Sequence, residues 1–366
     1  MLRVVVFFLA LLLARPALAC GGFMAPRVAP GQTSTPELRS DGSKVALLRN
    51  GIHTVVSLSM RYRGPADDFA LVVPVPVILQ KENVRTLHPG TFERLDAMTR
   101  PVLVEQWEDD PCRAEEEALW TSSDDKEGGT GARFKGEEGS SGAAQPAVKI
   151  EAAFSVDEYD VVILGTSDSL ALERWLIEAG YAMPPGIEPF LRPYVAAGSK
   201  FFVAKVDARK IELSWGRALL SPIRFEYDSE TFSLPIRLGL ANVDGDQDLT
   251  VYLLGRGTRY EAANYENALI PTNLRLVEGA KQNFAGFYEK LFTDTLAKHP
   301  KSFVTEYAMA VGACADCEPM LKDLGDDARP AQPPLVISRL HTRYGAAFAQ
   351  DLVLRAAAPL EGGDET

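Results

Sequence analysis

The chain has 366 residues, 46% of them hydrophobic, and a net charge of −12. This length and apolar content are enough for a sizeable core in one large or two closely packed domains. The acidic balance argues against nucleic acid as a partner, because a nucleic-acid-binding surface needs clustered Lys and Arg.

The first 19 residues have the pattern of a signal peptide. Arg3 precedes an unbroken apolar run over Val4–Leu13, and the small residues Ala17 and Ala19 follow it. Ten apolar residues form a helix of about 15 Å, roughly half the thickness of a bilayer core. We therefore expect cleavage between Ala19 and Cys20, which removes two arginines and leaves 347 residues with a net charge of −14.

Cys20 leaves two routes of export open. Ala17 and Ala19 fit ordinary signal peptidase, whereas a cysteine at the first mature position fits lipidation. No later segment has the roughly 20 consecutive apolar residues of a membrane-spanning helix. The expected location is extracytoplasmic: periplasmic, secreted, or held at the cell envelope by a lipid anchor on Cys20.

The chain has four cysteines, and export would place them where disulfides form. They are Cys20, Cys112, Cys314 and Cys317. Three pairings are open to them. We expect Cys314 to pair with Cys317 and Cys20 with Cys112, although sequence alone does not determine the connectivity.

The first predicted elements are strands. Two β-prone runs flank Asn50-Gly51 within Lys44–Tyr62 and predict a hairpin with a type I′ turn, one face buried and the other wet. Phe69–Leu79 predicts another strand. Pro74 and Pro76 each lack a donor on the same side, so this strand should lie at an edge or leave the sheet near Pro74.

A short helix is expected over Thr91–Thr99, followed by a strand over Val102–Trp107. Residues 109–147 are rich in Asp, Glu, Gly and Ser and predict a disordered insertion, because few large apolar side chains are available for burial. This insertion separates an N-terminal β-rich part (20–108) from the main part (148–358). An acidic tail (359–366) ends the chain.

The main part mixes strands with single helices. Two strands are predicted within Val148–Gly165, and then a helix capped by Asp168 or Ser169 and ended by Gly180. Two later helices are expected over Pro189–Ala197 and Asn283–Lys298. The remaining predicted strands are Lys200–Val206, Pro222–Tyr227, Phe232–Gly239, Leu249–Leu254, Phe303–Val311, Leu335–Tyr344 and Asp351–Ala356. The fold class is therefore α+β, with a mainly antiparallel sheet and a few inserted helices.

Five sequence segments, in this order and spacing, resemble the bacterial exported proteins of domain-of-unknown-function family 2330. They are Cys20-Gly21-Gly22-Phe23, Asp68-Phe69 with Val73-Pro74-Val75-Pro76, Trp175-Leu176 with Gly180-Tyr181, Leu234-Pro235-Ile236-Arg237-Leu238, and Arg339-Leu340-His341 with Arg343-Tyr344. The resemblance covers nearly the whole mature chain and implies a shared fold and an extracytoplasmic setting, without an assigned activity. Relatives often have a second cysteine soon after the first segment, where this chain has Met24 and Ala25, so their disulfide scheme does not transfer.

Cys314-Ala-Asp-Cys317 is the sharpest local motif, since two intervening residues let the thiols close a small ring. It follows a late strand, unlike the motif of thioredoxin-like enzymes, and it contains the acidic Asp316. A structural disulfide, a redox-active pair and half of a metal site are the alternatives.

Other motifs give weaker signals. No zinc site is expected, because the four histidines, at positions 53, 88, 299 and 341, are not at ligand spacing. Asp244-Gly-Asp246-Gln-Asp248 begins like a calcium loop but lacks its later positions, so a solvated turn is set against weak calcium binding. Gly255-Arg-Gly257 predicts a turn, and neither a nucleophile motif nor a cofactor-binding motif is present.

Arg339, His341 and Arg343 alternate along a predicted strand with Leu340, Thr342 and Tyr344. Such a row presents three cationic groups on one face and could recognise a carboxylate or phosphate. Internal pairing with Asp or Glu is the alternative in so acidic a chain. This row is the best sequence-based guess for a binding surface.

The sequence therefore favours a non-enzymatic extracytoplasmic protein that binds an unknown ligand or envelope partner, with no catalytic residue, cofactor or metal assigned. The alternative is a thiol–disulfide oxidoreductase that uses Cys314 and Cys317. A hydrolase with residues scattered along the chain is a third hypothesis, and it needs convergent His, Ser and carboxylate groups in one pocket.

Overall fold

The computed structural model describes residues 22–26, 39–63, 70–104, 147–179, 181–182, 186–207, 210, 213–214, 217–218, 220–242, 246–272, 274–276, 279–312, 314–326 and 333–360. Within them the helices are α1 (Thr91–Thr99), α2 (Ser169–Glu178), α3 (Glu188–Ala196), α4 (Phe284–Lys298) and α5 (Glu318–Asp323). The strands are β1 (Gly22–Pro26), β2 (Arg39–Asn50), β3 (His53–Arg63), β4 (Ala70–Val75), β5 (Val84–Thr86), β6 (Val148–Val156), β7 (Tyr159–Thr166), β8 (Tyr181–Ala182), β9 (Lys200–Val206), β10 (Leu213–Ser214), β11 (Arg217–Ala218), β12 (Ile223–Asp228), β13 (Ser233–Leu234), β14 (Gln247–Arg256), β15 (Arg259–Ala262), β16 (Glu266–Leu269), β17 (Ser302–Ala310), β18 (Leu335–Tyr344) and β19 (Leu352–Ala357).

Two large sheets dominate the described part of the chain. The eight-stranded sheet has the order β16-β17-β18-β14-β2-β3-β12-β5, and the six-stranded sheet has the order β6-β7-β9-β4-β1-β8. Only the pairs β14–β2 and β16–β17 are parallel among the described strand pairs. This arrangement confirms the α+β class with a mainly antiparallel sheet.

The two sheets pack face to face around one apolar core. Val45 and Leu253 of the eight-stranded sheet belong to the same buried cluster as Val73 and Phe202 of the six-stranded sheet. Strands from both sides of the predicted insertion enter this core, so the N-terminal and main parts fold together. Burial of this shared surface is the main stabilising contribution to the fold.

Helices cover the outer faces of both sheets. The apolar stripe of α2, with Leu172 and Leu176, packs with α3 against the six-stranded sheet. On the opposite side, α1 and α5 pack against the eight-stranded sheet. Phe292 of α4 covers Val304 on the same sheet. The layers therefore follow the order helix, sheet, sheet, helix.

The hairpin is present where it was predicted, but the prediction that one of its faces is exposed to water is wrong. Asn50 pairs with His53, so Gly51 and Ile52 form the turn between β2 and β3. Gly51 has a φ of 60° but Ile52 has no positive φ, so the turn is not the predicted type I′ turn, which needs a positive φ at both central residues. Both Val55 and Val56 are buried, however, and so is Ser57. The expected wet face does not exist here because a helix layer covers it.

The proline-bearing strand is present as β4, but it lies between β9 and β1 and stays paired at Pro74 and Val75, so the prediction of an edge strand or one that leaves the sheet near Pro74 is wrong. β9 pairs with the whole of β4, from Ala70 to Val75, and β1 pairs with Ala70–Val72 on the other side. The residues that would stand opposite Val73 and Pro74 on the β1 side lie outside the described part of the chain, so the unpaired side expected at the prolines stays a prediction.

The helices predicted at Thr91–Thr99, Asp168, Pro189–Ala197 and Asn283–Lys298 are confirmed within a residue or two. The side chains of Asp168 and Asn283 accept hydrogen bonds from backbone N–H groups in the first turns of α2 and α4, as N-caps do. Gly257 has a φ of 61° in the turn between β14 and β15, which confirms the turn predicted for Gly255-Arg-Gly257.

Two strand predictions are wrong. In the strand predicted over Val102–Trp107, residues 102–104 form no strand and their side chains are 37–62% exposed, while residues 105–107 lie outside the described part of the chain. Phe232–Gly239 contains only the two-residue β13, followed by a 3₁₀ helix over Arg237–Asn242. The carboxylate of Asp351 accepts hydrogen bonds from the backbone N–H groups of Ile236 and Arg237, and these bonds replace sheet pairing at that point.

The fold predicts a large cost for loss of volume in the shared core. Leu253 is completely buried in the central strand β14, so Leu253→Ala should lower the free energy of unfolding by about 2–5 kcal/mol. Leu269→Ala on the edge strand β16, where the side chain is 56% exposed, should cost under about 0.5 kcal/mol. Urea unfolding measures both, and similar losses would contradict the shared core.

Candidate functional site

The predicted cationic row lies on β18 and faces the helix layer outside the eight-stranded sheet. Its neighbours β14 and β17 supply carboxylates, and α1 and α4 supply the groups above it. Strand alternation places Arg339, His341 and Arg343 on this face and turns Leu340 and Tyr344 into the shared core. The structure thus brings the three predicted site residues together.

Glu306 of β17 is the central carboxylate of this network, and its side chain is 1% exposed. It accepts hydrogen bonds from Arg339 Nε at 2.6 Å, His341 Nδ1 at 2.8 Å and the Tyr288 hydroxyl at 2.5 Å. Burial alone would raise its pKa, but the hydrogen bond and charge of His341, together with Arg339, hold the pKa below its usual range. Glu306 is therefore ionised and fully bonded.

His341 lies between two carboxylates. Its Nε2 is 3.4 Å from Asp248 Oδ1, opposite the Glu306 contact, and its ring stacks on Phe292 of α4 with centroids 4.1 Å apart. Burial would lower the pKa of His341, but the hydrogen bonds to Asp248 and Glu306 and the charges of these groups raise it above 6.5. The imidazolium form donates from both nitrogens and satisfies both partners.

The arginines at the two ends of the row are also paired. Arg339 Nη1 donates to Asp96 of α1 at 2.7 Å. Burial would raise the pKa of Asp96, but the charges of Lys44 and Arg339 lower it to about 2. Arg343 donates to Asp248 at 3.1 Å and to Glu289 of α4.

Within the described residues, this charge network balances four cations with four carboxylates. The cations are Lys44, Arg339, His341 and Arg343, and the carboxylates are Asp96, Asp248, Glu289 and Glu306. Of the two alternatives for the cationic row, anion recognition and internal pairing with Asp or Glu, the structure shows internal pairing. It holds α1 and α4 to the sheet and leaves none of the three row residues without a carboxylate partner.

The Cys314–Cys317 disulfide is present, with Cα atoms 5.3 Å apart. It lies in the connection between β17 and α5, and both cysteines are half-buried. Cys317 Sγ is 3.8 Å from Sδ of Met98 on α1. The other disulfide candidates, Cys20 and Cys112, lie outside the described residues, as does the cleavage site at Ala19.

The three acidic residues of the Asp244–Asp248 segment have different surroundings in the structure. Asp244 lies outside the described residues, Asp246 is exposed, and Asp248 belongs to the charge network. In the described ranges, no three His, Cys, Asp or Glu side chains form a group that could hold a metal ion. The choice between a solvated turn and weak calcium binding is not tested, because residues 243–245 lie outside the described part of the chain.

A cleft of about 440 Å³ opens between α3, the 3₁₀ helix at Arg237–Asn242 and the turn between β18 and β19. Seven of its nine described lining residues are apolar. The lining consists of Pro189, Phe190, Pro193, Arg237, Leu240, Asp246, Ala346, Phe348 and Ala349. Its volume and apolar walls with few polar groups are typical of small-molecule sites.

Asp351 links the three chain segments that surround this cleft. Its carboxylate accepts hydrogen bonds from the Tyr194 hydroxyl at 2.6 Å and from Arg237 Nη2 at 2.9 Å, besides the two backbone bonds described above. The Arg237 guanidinium also lies over the Tyr194 ring, 5.0 Å from its centroid. The hydrogen bond to Asp351 is the largest cause of the raised pKa of Arg237. These contacts join α3, the 3₁₀ helix and the start of β19, so the cleft is preformed.

Sequence reasoning missed this cleft, because its residues come from four separate segments and form no motif. The signal that existed was the proline spacing of Pro189 and Pro193 on a predicted helix, next to Phe190. Those residues were interpreted only as helix formers. No helix in the described part of the chain is long and apolar enough to cross a membrane.

The family described as an uncharacterized protein conserved in bacteria (DUF2330) matches residues 15–355. The match covers nearly the whole chain. Comparison with curated proteins and with solved structures gives no significant match.

The raised pKa of His341 predicts a stability that depends on pH. A raised native pKa contributes stability that is complete below the unfolded value of about 6.5 and is lost as the pH rises through the native value. The free energy of unfolding of the wild-type protein should therefore fall in that window. His341→Gln should remove this fall, as measured by urea unfolding between about pH 5.5 and 9.

Asp248→Asn provides a graded comparison. It leaves Glu306 in place but removes one carboxylate that raises the His341 pKa, so the fall should be complete at a lower pH than in the wild type. If the free energy of unfolding changes with pH in the same way in the wild type, the His341 variant and the Asp248 variant, the role given to His341 is wrong.

Proposed function

The chain belongs to DUF2330, the family of uncharacterised proteins conserved in bacteria, and we propose that it is an extracytoplasmic binding module whose ligand occupies the cleft beside α3. Family membership confirms the resemblance found in the sequence and assigns no activity. The proposal is carried by one observation: a preformed, mostly apolar cleft of about 440 Å³.

The lining indicates the chemistry of the ligand. Phe190, Pro193 and Leu240 are half-buried and offer apolar contact to a small organic body. Arg237 supplies charged N–H donors, and 26% of its side chain is exposed. A small molecule with an apolar body and one anionic or acceptor-bearing end fits this combination.

A binding role agrees better with the geometry than a redox enzyme does. Asp316 and Glu318 are exposed next to the cysteines, and negative charges disfavour the thiolate that disulfide exchange requires. The cysteine pair also precedes a helix of only six residues. The cleft, in contrast, needs no chemical step to act.

The cleft can be tested with anilinonaphthalene sulfonate, a probe with an apolar body and one anionic group. We expect saturable binding of one probe per chain, followed by its fluorescence. Ala349→Trp places a large ring at the cleft lining and should weaken binding at least about tenfold, equivalent to roughly 1.4 kcal/mol.

Ala347→Trp is the matched control. Ala347 lies in the same turn and is exposed like Ala349, but it does not line the cleft. This variant should bind the probe as the wild type does. Equal binding by the Ala349 variant, or equal loss in both variants, would overturn the assignment of the cleft.

The extracytoplasmic location rests on the signal pattern of Met1–Ala19. Intact mass spectrometry of protein from a bacterial host should show a chain that begins at Cys20, because the small residues Ala17 and Ala19 suit signal peptidase. An added diacylglyceryl mass on Cys20 would identify the lipid-anchored form. A chain that begins at Cys20 without this added mass would identify the secreted or periplasmic form. Protein that retains Met1–Ala19 in the cytoplasm would contradict export.

A further inference from the structure

Three sulfur atoms from two separate elements meet at the outer face of the eight-stranded sheet. Cys314 and Cys317 come from the connection before α5, and Met98 comes from the last turn of α1. The 3.8 Å contact between Cys317 Sγ and Met98 Sδ joins atoms that are 219 residues apart in the sequence. We call Met98, Cys314 and Cys317 the sulfur cluster.

The surroundings of the sulfur cluster are apolar inside and acidic outside. Cys317 and Met98 pack against a buried cluster that includes Leu321 and Leu324. All three sulfur-bearing residues are half-buried, so they remain accessible from solvent. On the solvent side, the exposed Asp316 and Glu318 favour the approach of a cation.

We propose that the reduced sulfur cluster binds one Cu⁺ ion through the two cysteine thiolates and the Met98 thioether. Soft thiolate and thioether ligands select Cu⁺ over hard cations, and no oxygen or imidazole ligand is needed to complete the set. The proposal is independent of the cleft and of its ligand.

The spacing of the sulfurs suits a metal ion. Metal–sulfur bonds of about 2.3 Å, as found for zinc thiolates, place two ligand sulfurs about 3.8–4.0 Å apart. Met98 already lies at that distance from Cys317. With the Cα atoms of Cys314 and Cys317 5.3 Å apart, rotation of the side chains separates the two thiols without movement of the backbone.

Copper binding requires prior reduction of the disulfide. A dithiol reductant supplies two electrons and two protons, the bond between Cys314 and Cys317 breaks, two thiols form, and the reductant becomes a disulfide. Each thiol releases its proton to solvent when it binds Cu⁺, and the copper stays in the +1 state. The oxidised protein therefore binds no copper, because its two cysteine sulfurs are joined to each other and offer no thiolate.

The test uses the full chain with Cys20 and Cys112 replaced by Ser, so that the cluster contains its only thiols. The protein is reduced with a phosphine without oxygen and titrated against the coloured complex of Cu⁺ with bicinchoninate. We expect the reduced protein to withdraw one Cu⁺ per chain and the oxidised protein to withdraw none. X-ray absorption should report three sulfur ligands.

Met98→Leu preserves the volume of the side chain but removes one ligand, so it should weaken Cu⁺ binding on the order of tenfold or more, since even groups outside the ligand shell contribute that much. Met320→Leu is the matched control, because Met320 is a buried methionine of α5 in the same apolar cluster. This variant should bind Cu⁺ as tightly as the parent. A reduced protein without stoichiometric binding, or a Met98 variant equal to the parent, would overturn the three-sulfur site.

Discussion

The structure depends on covering both faces of the eight-stranded sheet. One face packs against the six-stranded sheet, and the other packs against α1, α4 and α5. A sheet buried on both sides needs apolar residues at consecutive positions, which is why Val55 and Val56 of β3 are both buried. The helix layer must therefore be held firmly, because its loss would expose a large apolar surface to water.

The charge network fixes part of that layer. Glu306 and Arg339 lie at positions where an apolar side chain would also be buried, and charges in such places are tolerated only when they are paired. Each cation lies on β2 or β18 and contacts a carboxylate on another helix or strand, and Asp96 and Glu289 belong to α1 and α4. The network therefore specifies the positions of α1 and α4 on the sheet. The charge network therefore has a structural role. Tyr288 of α4 adds a hydrogen bond to Glu306, and Phe292 of α4 stacks on His341.

The two candidate sites are built from side chains outside the charge network and have different origins. The cleft forms where Asp351 joins α3 to the 3₁₀ helix, which leaves apolar walls open to solvent. The sulfur cluster forms because α1 and the connection before α5 pack side by side on the same sheet. Neither site uses a charge of the network, so ligand binding at either one does not have to break the pairing that stabilises the fold.

The sequence by itself determined the fold class and the bounds of most of the longer helices and strands, because periodicity, caps and short loops depend on neighbouring residues. It made Cys314–Cys317 the expected local pair without determining the connectivity. It also determined that Arg339, His341 and Arg343 share one face. Only the tertiary structure decided that this face is closed by carboxylates, since Asp96 and Glu306 come from distant segments. The cleft, the Met98 contact and the covered second face of the hairpin were likewise decided by tertiary packing, because contacts between residues far apart in sequence leave no local pattern to interpret.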